Sequence, residues 1–143
     1  MAETLSFPYV GLPIRNPATK ILVGVIYRPL VPIQIGFGKK TSFLFEALVD
    51  SGADKNLFPM DIGEQIGINF SKLQPQKAKG IGGSEIKTYF SLISLKIADH
   101  TFETNAYFSK EIDYPLLGRE GFFDLFSKIE FNQKKKKLDL EHL

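Results

Sequence analysis

Apolar and polar residues alternate in short runs along most of this chain, and Gly, Pro and Asn punctuate them. A period of two sends successive side chains to opposite faces of a strand, so the pattern predicts half-buried β-structure. Phe7 to Val10 and Ile21 to Tyr27 are β-branched and aromatic, divided by the Gly-, Pro- and Asn-containing stretch Gly11 to Pro17. Val31 to Phe37 alternates Val, Ile, Ile and Phe with other residues. Gly38-Lys39-Lys40 then turns into Thr41 to Val49, which reads as the second arm of a hairpin. Lys77 to Lys79 and Glu85 to Leu95 flank Gly80-Ile81-Gly82-Gly83 and predict a hairpin with a glycine-rich tip. Leu92, Leu95, Ile97 and Phe102 continue the strands through a turn at Asp99-His100, followed by buried strands at Tyr107-Phe108 and Pro115-Leu116-Leu117. Lys128 to Phe131 and Lys137 to Leu140 form a last hairpin around Asn132-Gln133. Two short helices are expected. Pro59 to Ile66 has Pro near its start and Gly67 at its end, and Glu120 to Phe126 follows Gly118-Arg119.

These elements describe one all-β domain over residues 1–143, with residues 1–30 as an N-terminal extension of open role. A chain of 143 residues can build a hydrophobic core without covalent staples, and 43% hydrophobic with 24% charged residues is ordinary for a globular protein. Cysteine is absent, which excludes disulfides, thiol nucleophiles and thiolate metal sites. A net charge of +2 is too small to argue for nucleic acid. No apolar run approaches the roughly 20 residues of a spanning helix. The opening Met1-Ala2-Glu3-Thr4 has no basic region leading into an apolar stretch. A soluble, cytoplasmic protein without nucleic-acid or membrane partners is the expectation.

The chemistry gathers at Ala47-Leu48-Val49-Asp50-Ser51-Gly52-Ala53-Asp54. An apolar strand ends in an aspartate, and Ser-Gly-Ala then turns the chain sharply. This arrangement projects the Asp50 carboxylate from a rigid support, with Gly52 allowing close approach of another chain. Ser51 can bond locally and fix the loop. Alone, such a loop is more often a simple turn than a catalytic site. Two further stretches change that balance: Gly80-Ile81-Gly82-Gly83, and Pro115-Leu116-Leu117-Gly118-Arg119.

In this order, and each beside the right kind of element, the three stretches resemble those of the retroviral-type (retropepsin-like) aspartic proteases. The resemblance covers roughly Val31 to Leu140. It implies a closed, barrel-like acid-protease domain, active as a two-fold homodimer, that hydrolyses peptide bonds in extended polypeptides. Asp50 would be the catalytic residue, with Ser51 and Gly52 bracing the active site. Substrate would meet Gly52, Ala53 and Asp54 from one side and the flap residues Gly80, Ile81, Gly82 and Gly83 from the other. Asp54 and Arg119 match a pair that forms an internal ion pair in that family. Ser51 stands where threonine is more usual, and Lys55 where a second acid is common, so viral specificity does not transfer. The rival from another class is a catalytically silent domain of the same fold, used for peptide binding or dimerisation.

Cofactors and metals are not expected. The two histidines, His100 and His142, have no companions at ligand spacing. No nucleophile elbow accompanies them, and the glycine run lacks the Gly-Lys-Ser/Thr of a phosphate loop. The run Lys134-Lys135-Lys136-Lys137 suits either an anionic surface or a solvated turn that discourages edge pairing, and the second is the commoner use.

Overall fold

The alternating runs fold as strands, and the computed structural model describes residues 2–79 and 83–143. In chain order the first strands are β1 (Glu3–Pro8), β2 (Val10–Arg15), β3 (Leu22–Arg28), β4 (Leu30–Phe37), β5 (Lys40–Thr41), β6 (Phe45–Val49) and β7 (Leu57–Pro59). A short helix, α1 (Met60–Gln65), precedes β8 (Gln76–Lys79), β9 (Glu85–Ile97), β10 (His100–Ser109) and β11 (Leu116–Leu117). The chain closes with β12 (Lys128–Asn132) and β13 (Lys137–His142). Two compact units result: residues 31–125, and residues 1–30 together with 126–143.

The unit of residues 31–125 is a barrel. Its strands follow one another as β4, β6, β11, β7, β10 and β9, and β9 returns to pair with β4, which closes the ring. Closure removes the unpaired edges that an open sheet would present. Inward-facing positions are filled by Ile33, Ile35, Ala47, Val49, Phe58, Leu95, Ile97, Phe108, Leu117 and Phe122, all essentially without solvent contact. Phe58 packs against Phe45 and Phe108, with ring centroids 5.9 and 5.8 Å apart. The barrel-like all-β fold expected from the sequence is the observed one. The glycine-rich hairpin is also present, with β8 and β9 antiparallel from Gln76↔Thr88 to Lys79↔Glu85. Of its expected tip residues, Gly83 is described, and Gly80, Ile81 and Gly82 lie outside the described residues.

Three expectations are corrected. The stretch Gly11 to Pro17 is not merely a divider, because Val10–Arg15 forms β2 and pairs with β3 from Val10↔Arg28 to Arg15↔Leu22. Pro13 is tolerated there because β2 has a single partner strand, so it can lack a ladder donor. Thr41 to Val49 is not one continuous arm. Ser42 interrupts it by accepting the Ile35 N–H on its hydroxyl (3.0 Å) while donating its own N–H to the Ile35 carbonyl (2.8 Å). Glu120 to Phe126 does not form an α-helix; only a 3-10 turn, Phe123–Leu125, appears. Gly121 sits at φ +98°, and the N–H groups of Phe123 and Asp124 bond five residues back, to Gly118 and Arg119. A left-handed residue at that point breaks the regular i→i−4 ladder before it can propagate.

The unit of residues 1–30 and 126–143 holds two sheets. β1, β13 and β12 form a three-stranded antiparallel sheet with β13 in the middle, and β2 and β3 form a two-stranded one. The N-terminal segment therefore has a definite role here: β1 pairs with β13 from Glu3↔His142 to Pro8↔Lys137. Leu138 and Leu140 are fully buried. Across the β1–β13 pair, the Ser6 hydroxyl donates to Asp139 Oδ1 at 2.6 Å. This bond, aided by Lys137, holds the Asp139 carboxyl below its ordinary value.

A group whose pKa is depressed on folding stabilises above its unfolded pKa and loses that effect as pH falls through the folded one. Ser6→Ala should therefore raise the Asp139 pKa toward 3.8, as read by NMR titration. The stability gap between wild type and variant should be full at neutral pH and close below about pH 4.

Candidate active site

Asp50 follows directly on β6, whose neighbour β11 runs parallel to it with Leu116 opposite Leu48 and Leu117 opposite Val49. Two backbone bonds carry this pairing to the aspartate: Leu48 N–H to the Pro115 carbonyl and Asp50 N–H to the Leu117 carbonyl, each 3.0 Å. The chain then turns. Ala53 N–H returns to the Asp50 carbonyl (3.1 Å), and Gly52 N–H donates to Asp50 Oδ1 (2.9 Å). This self-bonded aspartate turn orients the carboxylate without burying it. Asp50 is half-buried, and Ser51 and Gly52 are exposed beside it. Ala53, half-buried, accepts the Arg119 N–H on its carbonyl (3.0 Å), and Asp54 accepts the Glu120 N–H (2.8 Å). Backbone bonds thus hold both ends of the loop from Asp50 to Asp54 against the segment from Leu117 to Glu120.

The side chains add two ion pairs to this backbone clamp. Arg119 Nη2 donates to Asp54 Oδ1, so the two residues matched from the sequence do meet. Lys55 Nζ lies 2.8 Å from Glu120 Oε2 and 4.9 Å from the centre of the Tyr107 ring. Donation to the Glu120 carboxylate raises the Lys55 pKa above its ordinary value. Both pairs are substantially exposed, with Arg119 at 59% and Asp54 at 73%. Solvent-exposed pairs of this kind contribute about 0–1 kcal/mol. They set local charge more than they hold the fold.

What holds the loop in place is a residue that the motif-based reading passed over. Asn56 has no solvent exposure. Its Oδ1 accepts the Gly118 N–H (3.0 Å), its Nδ2 donates to the Asn105 carbonyl (3.0 Å), and its own carbonyl accepts the Tyr107 N–H (2.9 Å). One side chain thereby joins the loop after Asp50, the end of β11 and the middle of β10. Gly118 completes the crossing, because a Cβ there would lie 2.4 Å from the Lys55 carbonyl oxygen. Only glycine lets the two backbones pass so closely. The available signal was an Asn on the strand side of the aspartate loop, two residues past Asp54. A side chain able to both donate and accept suits a site where two strands leave opposite backbone groups unpaired.

Among the described residues no group of three or more His, Cys, Asp or Glu side chains gathers to hold a metal ion. Gly83, at φ +82°, borders the hairpin tip.

Comparison with known proteins agrees with this geometry. A family model described as aspartyl protease matches residues 31–120. Among solved structures, the chain is similar to a retropepsin-like aspartic protease from Rickettsia conorii, with 15% identity and a TM-score of 0.63 over 99% of this chain and 93% of that one. It is also similar to the EIAV protease complexed with the inhibitor HBY-793, with 22% identity and a TM-score of 0.52 over 64% of this chain and 82% of that one. At these identities the likeness is one of fold. A search of the curated proteins finds no match.

The contrast between buried amide and exposed ion pair is measurable. Asn56→Ala leaves the Gly118 N–H and the Asn105 carbonyl unpaired, each at a cost of about 1–3 kcal/mol. Arg119→Ala should cost less than about 1 kcal/mol. Urea unfolding of the two variants beside wild type checks the order.

Proposed function

The chain belongs to the aspartyl protease family, and from that membership we propose that it hydrolyses peptide bonds in extended polypeptides as a homodimer. The observation that carries this reading is Asp50: a carboxylate on an exposed, backbone-clamped loop following a barrel strand, in a motif that occurs once in the chain. Peptide hydrolysis of this type needs two carboxylates close enough to share one proton. At roughly 3 Å two like charges cannot both ionise readily, so one member of the pair keeps its proton. Their apparent pKa values belong to the pair. The ionised member takes a proton from the attacking water, and the protonated member donates to the scissile carbonyl oxygen. One Asp50 cannot do both. A two-fold axis supplies the second, because an isologous interface sets a residue against its own counterpart.

The remaining residues take supporting roles. Ser51, exposed at the loop apex, is suited to bond the facing loop and brace the two aspartates. Gly52, Ala53 and Asp54 offer a bare backbone and a carboxylate to an extended substrate. The β8–β9 hairpin, whose connecting sequence runs through Gly80-Ile81-Gly82-Gly83, would cover the substrate from the other side, exclude water and add main-chain bonds. Lys55, held by Glu120, presents a cation beside the Asp50 loop, which favours acidic over basic substrate side chains near it. No metal or organic cofactor enters the scheme.

Asp50→Asn removes the proton-sharing pair while keeping shape, and should lower turnover of a peptide-library substrate by about 10²–10⁴-fold or more. Unchanged turnover in that variant would remove Asp50 from the chemistry. Retained peptide binding with no turnover in wild type would instead identify a silent peptide-binding domain. Because each chain supplies half of the pair, specific activity should fall on dilution through the dimer dissociation constant, in step with dimer loss by analytical ultracentrifugation. The same activity from a verified monomer would overturn the two-chain mechanism.

A further inference from the structure

The unit of residues 1–30 and 126–143 carries a surface that peptide hydrolysis does not use. Among the described residues, β2 and β3 form a hairpin with no third strand, and one of its faces is apolar and open to solvent. Gly11, Pro13, Val23, Val25 and Tyr27 lie on that face by register, and Val23, Val25 and Tyr27 are 63%, 48% and 43% exposed. Ile21 and Leu22 at the hairpin tip are 64% and 51% exposed. Isolated two-stranded hairpins are marginal in water, and contiguous exposed aliphatic side chains mark a surface that meets something else.

Charge says what that is. This unit holds eight Lys and Arg against four Asp and Glu, whereas residues 31–125 hold ten against twelve. Arg15 and Lys20 flank the hairpin tip, and Arg28, opposite Val10 and so on the other face by register, ends it; all three are exposed. The lysine turn between β12 and β13 is brought alongside: the Tyr9 N–H donates to the Lys136 carbonyl (2.7 Å), and Lys136 Nζ stands 5.3 Å from the centre of the Tyr27 ring. Lys128 and Lys137 have acidic neighbours, Glu130 and Asp139. Among the described residues, Arg15, Lys20, Arg28, Lys134, Lys135 and Lys136 stand in no ion pair. Aliphatic side chains bordered by Arg15 and Lys20 at the tip and by the Lys134–Lys136 turn beside Tyr27 match a surface that is anionic outside and hydrocarbon within.

We propose that the β2–β3 hairpin and the Lys134–Lys136 turn dock this protein on the surface of an anionic lipid bilayer. The aliphatic tip enters the headgroup boundary, and the cations meet lipid phosphates and carboxylates. The sequence-based expectation of no membrane partner rests on the lack of a spanning run. Indeed no helix among the described residues is long and apolar enough to cross a membrane. Interfacial docking requires no such helix. A nucleic acid would gain little from Val and Ile, which offer no flat ring for stacking, while Lys136 already stands over the Tyr27 ring. Two copies joined through this face would bring like charges together.

The test is co-sedimentation of the full chain with phosphatidylcholine vesicles, with and without roughly 30% phosphatidylserine. The bound fraction should rise at least about tenfold with the anionic lipid and fall as salt shortens the screening length. Val23→Ser/Val25→Ser and Lys134→Glu/Lys135→Glu should each reduce binding several-fold while circular dichroism stays unchanged. The second variant lies in an exposed turn, so it keeps the proposal testable if the first fails to fold. Asp50→Asn should bind as wild type does, which separates docking from hydrolysis. Equal partition into both vesicles, no partition, preference for a single-stranded oligonucleotide, or burial of the face in a dimer insensitive to lipid would each overturn the proposal.

Discussion

The candidate active site depends on a crossing of two backbones that only one side chain and one missing side chain permit. Asn56, without solvent contact, spends both ends of its amide on backbone groups of other strands. Gly118 passes where a Cβ would lie 2.4 Å from the Lys55 carbonyl oxygen. The Asp50 N–H reaches the Leu117 carbonyl only because Leu117 and Gly118 are held in that position. A side chain that is to present its carboxylate at a fixed point must be held within a fraction of an ångström. Buried hydrogen bonds between strands provide such rigidity, and flexible surface charges do not.

This ordering of forces explains why polar residues of similar appearance have different standing. Asp54, Arg119, Lys55 and Glu120 form two ion pairs around the loop, yet all four keep contact with solvent, so their attraction is screened. They shape the charge beside the Asp50 loop. Stability comes from the closed ring of strands and the aromatic and aliphatic side chains within it, with Phe58 and Phe108 in ring contact and Phe108 against Gly63 of α1. Beyond the barrel, the unit of residues 1–30 and 126–143 uses the chain ends for one sheet and leaves the β2–β3 hairpin open.

Much of this was legible from local pattern. Val31 to Phe37, Glu85 to Leu95 and the Lys128 to Leu140 hairpin are strands because period-two alternation has one dominant physical solution once a core forms. Pro59 and Gly67 bracket α1 as their backbone preferences require. The misreadings share a cause. Glu120 to Phe126 has helical composition, but Glu120 gives its N–H to Asp54 and Gly121 turns left-handed, with its carbonyl taken by the Thr104 hydroxyl at 2.6 Å. Ser42 breaks a strand because its hydroxyl takes the place of a ladder acceptor. In each case a contact distant in sequence overrode local propensity.

By itself, the sequence determined the all-β class, most of the strands and the aspartate loop with its solitary carboxylate, since these follow from periodicity, turn chemistry and one short motif. Tertiary structure alone decided that Asn56 is the brace, that Asp54 and Arg119 pair in the open, and that Lys136 stands over Tyr27. Burial and contact between residues distant in the chain are properties of the closed barrel and, in the other unit, of its sheets. A residue type cannot announce them before the strands have met.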